Sequence, residues 1–255
     1  MRRDPPATLL AALLAAVACA APAAAAPPAF AQAAGPATSR LPLASDARAT
    51  YLERCSAEHR RNYPQMVAAA VDSSCTYRWD KVEAAGPLAD LVLAAVPARP
   101  GERLTAADLR ARLPGSSWDA RPSQGGPSPP VATGRVGGFK AAVAGTGAAV
   151  TSLILGWSEV GADTPYDLPG ALAARGARVE PLGCYHYGVV EVNAAYVIEA
   201  PGRAPFAVTI YSRGAPLAHS TAAQSFEVGL DGVLPTKAGL RAEYRDPAWV
   251  DPCPV

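Results

Sequence analysis

Several patterns are missing from this chain, and each absence removes a class of function. No Cys-x-x-Cys pair occurs, and His59, His186 and His219, the only histidines, show no zinc-ligand spacing. Glycine is plentiful, but neither Gly-x-x-x-x-Gly-Lys-Ser/Thr nor Gly-x-Gly-x-x-Gly after a strand is present, so phosphate-loop and dinucleotide sites have no support. The glycines of residues 134–147 are expected in turns between short strands. No Gly-x-Ser-x-Gly elbow exists, and aromatic residues make up only 7%, few for the stacking platforms of a sugar groove. No catalytic residue, metal or cofactor is assigned.

Net charge is equally scarce. The chain has 23 basic and 22 acidic residues, and setting aside Arg2, Arg3 and Asp4 leaves 21 of each sign. Without a basic excess there is nothing to neutralise a phosphate backbone, so nucleic acid is not expected as a partner. Lysine is confined to Lys81, Lys140 and Lys237. A bilayer span needs roughly 20 consecutive apolar residues, and after the N-terminal segment no such run exists.

That segment is the strongest feature present. Arg2 and Arg3 precede an apolar run from Leu9 to Ala18, followed by an Ala/Pro stretch ending in the small-x-small sequence Ala29-Phe30-Ala31. This is the pattern of an export signal, with cleavage expected after Ala31. Cys19, preceded by Val17 and Ala18, offers an alternative as a lipidated anchor, although Ala16 stands where a lipoprotein box favours Leu. A periplasmic or secreted product is the expectation.

Cys55, Cys75, Cys184 and Cys253 then remain, an even number that in an oxidising compartment reads as two disulfides. Pairing within local segments, Cys55 with Cys75 and Cys184 with Cys253, is expected. Residues 32–45 read as a disordered leader and residues 46–113 as a helical module. There Asp46 is a candidate cap, Pro64 opens a second helix, Pro87 a third, and Thr105 with Asp108 forms a capping box. Val67, Val71, Cys75, Trp79 and Val82 form one apolar stripe that sets Cys75 against the Cys55 face of the preceding helix. Trp79 and Met66 are expected in the core.

Residues 114–133, rich in Pro, Gly and Ser, read as a linker. Beyond it, residues 134–255 alternate with strand period: 139–144, 152–157, 179–184 and 225–230 are expected strands. A hairpin is expected over 195–211 around Pro201-Gly202-Arg203, and a helix from Asp167 to Arg175 ends at Gly176. The fold class is therefore α+β, a small helical module followed by a mostly antiparallel sheet with one packed helix.

One local cluster suits recognition: Tyr185, His186 and Tyr187 beside Cys184 in an expected turn, with Arg213 a candidate to share their face. Together these features point to a noncatalytic extracytoplasmic binding module whose partner is an envelope protein or a cell-wall polymer. The alternative is an envelope hydrolase using His186 or His219 with a carboxylate.

Overall fold

The computed structural model describes residues 43–119, 132–146, 149–157, 166–187, 191–215, 220–244 and 249–250, all within one unit. The expected export signal, Cys19, His219, Cys253 and the centre of the expected linker lie outside the described residues. The architecture is mixed α+β, with helices first and an antiparallel sheet after them.

Helices α1 (Ala47–Asn62) and α2 (Ala68–Ala84) form a hairpin closed by the Cys55–Cys75 disulfide, whose Cα atoms are 5.8 Å apart. The apolar stripe of α2 dictates this pairing, because it presents Val71 and Cys75 to the Cys55 side of α1 with Met66 packed beside them. Helix α3 (Gly86–Ala95) carries Pro87 in its first turn, one residue after its start, and α4 (Ala106–Arg112) begins with a complete capping box: Asp108 N donates to Thr105 Oγ1 and Thr105 N to Asp108 Oδ2.

Three local expectations are corrected. Pro64 does not open α2; it lies in the connection and the helix begins at Ala68. Asp46 occupies the N-cap of α1 without a side-chain capping bond. Residues 43–45 are not wholly free of the fold, since Ala44 N donates to Ala174 O over 3.0 Å.

The strands are β1 (Ser117–Asp119), β2 (Ala132–Val136), β3 (Phe139–Thr146), β4 (Ala149–Trp157), β5 (Arg178–Tyr187), β6 (Glu191–Glu199), β7 (Phe206–Ala215), β8 (Ser220–Gly229) and β9 (Trp249–Val250). They form one sheet in the order β1-β2-β3-β4-β8-β7-β6-β5-β9, every pairing antiparallel. β1 lies inside the segment expected as linker; it pairs with β2 at Gly134, where a Cβ would come within 1.8 Å of Ser117 O, so only glycine admits the third strand there.

The β4–β8 pairing explains the architecture. After β4 the chain crosses the sheet face through α5 (Leu168–Ala173), enters at β5, and returns by β6, β7 and β8 to close against β4. Gly176, at φ +83°, ends this crossing in the left-handed region that glycine tolerates. A second packed helix not foreseen from sequence, α6 (Lys237–Tyr244), sets Leu240 with Leu182, Tyr185 and Ala195 in a separate cluster.

Beyond the small Cys55–Val71–Cys75 cluster of the hairpin, the helices share their core with the sheet. Trp79, Val82, Leu88, Val92 and Leu109 belong to one buried cluster with Leu153, Phe206, Val208, Phe226 and Val228 of the sheet. Arg175 reinforces the junction: Nε donates to Asp90 Oδ1 of α3 at 3.1 Å, Nη2 to Gly86 O and Nη1 to Ala171 O. No described helix is long and apolar enough to cross a membrane.

Candidate functional site

The sheet face that builds this core changes character along its length. In antiparallel pairing, directly opposed residues point to the same side, and the rows can be followed strand to strand. Ile198 opposes Phe206, and Tyr196, Val208 and Val228 form the next row, all toward the helices. The following row runs Ala194, Ile210, Phe226 and the next Val192, Ser212, Gln224. The same alternation therefore carries the face from apolar core to small and polar side chains. Where it does so, the helices stand off and leave a cleft of about 410 Å³.

The walls come from three helices. α1 contributes Tyr51, Arg54, Cys55 and Glu58, α2 contributes Arg78 and Lys81, and the entry to α5 contributes Tyr166, Asp167 and Pro169. Ala194, Tyr196, Ile210, Ser212 and Gln224 form the floor. Spacings of three and four place Tyr51, Arg54 and Glu58 on adjacent turns of one side of α1, as the spacing of three does for Arg78 and Lys81 on α2. The disulfide holds these two helices together directly at the cleft wall, since Cys55 is part of it.

Buried Gln224 positions the α5 entry: Tyr166 N donates to its Oε1 at 2.9 Å and its Nε2 donates to Tyr166 O at 3.3 Å. Asp167 is anchored at the start of α5, where Oδ1 accepts from Gly170 N at 2.8 Å and its own amide donates to Lys81 O. Burial raises the Asp167 pKa above the ordinary aspartate value, against the opposing effects of the Gly170 amide, Arg78 and Arg54. Tyr51 is pushed up to about 12, first by burial and then by the Asp167 charge, so its hydroxyl stays protonated at neutral pH. Its ring packs 5.4 Å from buried Trp79, which is core as expected.

Cations outnumber acids in the lining. Lys81 Nζ lies 4.2 Å from the Tyr77 ring centroid and Arg54 5.8 Å from that of Tyr51. Among the described residues, neither Arg54 nor Arg78 forms an ion pair, unlike Arg112 with Glu102, Arg175 with Asp90 and Arg178 with Glu199.

The residues expected from sequence for recognition occupy strands, not a turn: β5 continues through Tyr187. Tyr185 opposes Asn193, which opposes Tyr211; Tyr187 opposes Glu191, which opposes Arg213. Tyr185 and Tyr187 thus fall in alternate rows leading to Tyr211 and Arg213, while His186 falls in the intervening row with Val192, Ser212 and Gln224. Cys184 is buried on β5, its backbone paired with Val250 on β9, so the strand preceding Cys253 lies alongside it.

His59 has a closer relation to the cysteines than its sequence spacing suggested. Its ligating nitrogen and the sulfurs of Cys55 and Cys75 lie within 4.8 Å of one another. Those sulfurs are joined in a disulfide and have no thiolate to offer a metal. His59 Nε2 contacts Ser74 Oγ at 3.3 Å, and buried Nδ1 has no partner among the described residues.

Tyr51, Arg54, Arg78, Asp167 and Tyr196 were not singled out by sequence reasoning. The helical spacing of the charged residues was visible, but such spacing marks any solvated helix face; what distinguishes it is the polar stretch of sheet opposite. No protein-family model, curated protein or solved structure matches the chain.

Proposed function

We propose that the protein is an extracytoplasmic, noncatalytic binding module, exported by its N-terminal segment, that takes its ligand in the cleft between the α1–α2 hairpin and the β6–β8 face. The observation that carries this reading is a donor-rich cavity of about 410 Å³, within the range of small-molecule sites, built on a disulfide-held hairpin and a rigid sheet. Its described lining includes no histidine, and its cysteine is tied up in the disulfide, so among the described residues it presents neither an imidazole base nor a thiolate. The Arg and Tyr side chains are instead those that dominate recognition surfaces. Envelope material supplies the candidate ligands, free or displayed on a protein or cell-wall polymer.

The test is to incubate the oxidised protein with envelope extract, recover it and release bound compounds for mass spectrometry, beside an Ala194→Trp variant whose cleft floor is filled. A compound retained by the wild type and lost from a folded variant is the expected result. Equal retention by both proteins, or none, would overturn the reading, and turnover of the compound would replace it with a hydrolase.

A further inference from the structure

We propose, on the basis of that cleft being a ligand site, that its ligand is a small organic oxyanion, a carboxylate or phosphate monoester with an apolar or flat body, gripped by Arg54 and Arg78. One arginine stands on each of the stapled helices: Arg54 directly precedes Cys55 on α1, and Arg78 follows Cys75 by one turn on α2. Fixing Cys55 to Cys75 therefore fixes the separation of the helices that carry them. Both side chains line the cleft, and neither forms an ion pair among the described residues, although both act on Asp167 through space. Their donor forks are left for a ligand, and a guanidinium fork matches the two oxygens of a carboxylate or phosphate.

Apart from Glu58, which puts one carboxylate on the α1 wall, the rest of the lining agrees with an anion. The protonated Tyr51 hydroxyl adds a donor, and an Asp167 oxygen is already occupied by the Gly170 amide. Opposite these groups, Ala194, Ile210 and the Tyr196 ring offer an apolar floor to the body of the ligand. With Arg54, Arg78 and Lys81 set against Glu58 and Asp167, the lining carries more positive than negative side chains and favours an anion over a cation.

Benzoate, phenyl phosphate and the neutral isostere benzamide serve as probes, titrated at millimolar concentration into the full oxidised chain and followed by amide NMR shifts. Benzoate or phenyl phosphate is expected to move the amides of α1, α2 and β6 around the cleft, the tighter of the two identifying the head group, while benzamide leaves them in place. Arg54→Gln with Arg78→Gln should weaken the anion by about tenfold or more, as loss of charge-assisted hydrogen bonds implies. Asp167→Asn, which removes a negative charge, should tighten it. Benzamide moving the same amides as strongly as benzoate overturns the anion class while leaving the cleft a ligand site. Unchanged affinity in the double Gln variant, with its fold verified by the melting curve, or no response to any probe also overturns it.

Discussion

Asp167 and Gly170 depend on each other at atomic distance. A Cβ at Gly170 would stand 2.6 Å from Asp167 Oδ2 and 2.7 Å from Val82 Cγ2, so the helix can approach α2 only with glycine there. Gly170→Ala is expected to cost about 1–3 kcal/mol through overpacking, read from urea unfolding. Asp167 makes a pH-dependent contribution. Its native pKa lies above the ordinary value of 3.8, so the folded state holds the proton more tightly than the unfolded chain. The associated stability is present below that ordinary value and is lost as pH rises through the native pKa. Asp167→Asn keeps an oxygen for the Gly170 amide and cannot ionise. Its melting temperature relative to wild type should therefore be lowest at acid pH and rise toward neutrality; a constant difference across the range would show that Asp167 is not the titrating group.

At the scale of elements, the disulfide and the Arg175 clamp hold the helical layer. Cys55 and Cys75 are 20 residues apart, and closing a loop of that size stabilises a fold by about 3 kcal/mol in the chain-entropy model. A Cys55→Ala, Cys75→Ala variant should lose about that much in urea unfolding, and its response to cleft ligands should fall as α1 and α2 drift apart. Arg175→Ala removes the donor shared by Asp90, Gly86 O and Ala171 O, and a loss of about 2 kcal/mol is expected from leaving the acceptors at buried Gly86 and Ala171 without it, the partly exposed Asp90 being free to turn to water. The capping box of α4 is more local. Thr105→Ala should cost about 1 kcal/mol, without effect on the cleft.

For the whole molecule, the decisive fact is the core shared by helices and sheet. Trp79, Val82, Leu88 and Val92 are buried by Leu153, Phe206, Val208, Phe226 and their neighbours, so separating residues 46–113 exposes both sides of the contact. The isolated helical segment is expected to retain helix by circular dichroism but to melt without the cooperative transition of the intact chain; a sharp two-state melt would show that it folds independently. The long crossing from β4 to β5 and the late return of β8 make this a fold of distant pairings, which close only after the chain between them has been ordered.

Much of the local structure was determined by sequence alone, because its causes are local. Helical periodicity placed Cys75 and Cys55 on facing stripes and so determined their bond. Proline marked the start of α3, Thr105 and Asp108 capped α4, Gly176 ended the crossing helix, and Pro201-Gly202-Arg203 separated β6 from β7. Short elements lacked such signals: β1 has three residues in a Pro/Gly/Ser-rich stretch, and α6 gives its cluster one buried leucine, Leu240. The position of Tyr187 inside a strand likewise depends on a partner, Glu191, rather than on its own neighbours. The cleft was decided by tertiary structure. Its cations come from α1 and α2, its acids Glu58 and Asp167 from α1 and the crossing before α5, and its floor from strands whose order is set by the return of β8 to β4. Periodicity shows which side of an element is apolar. Only packing determines which polar sides come to face one another across an unfilled space.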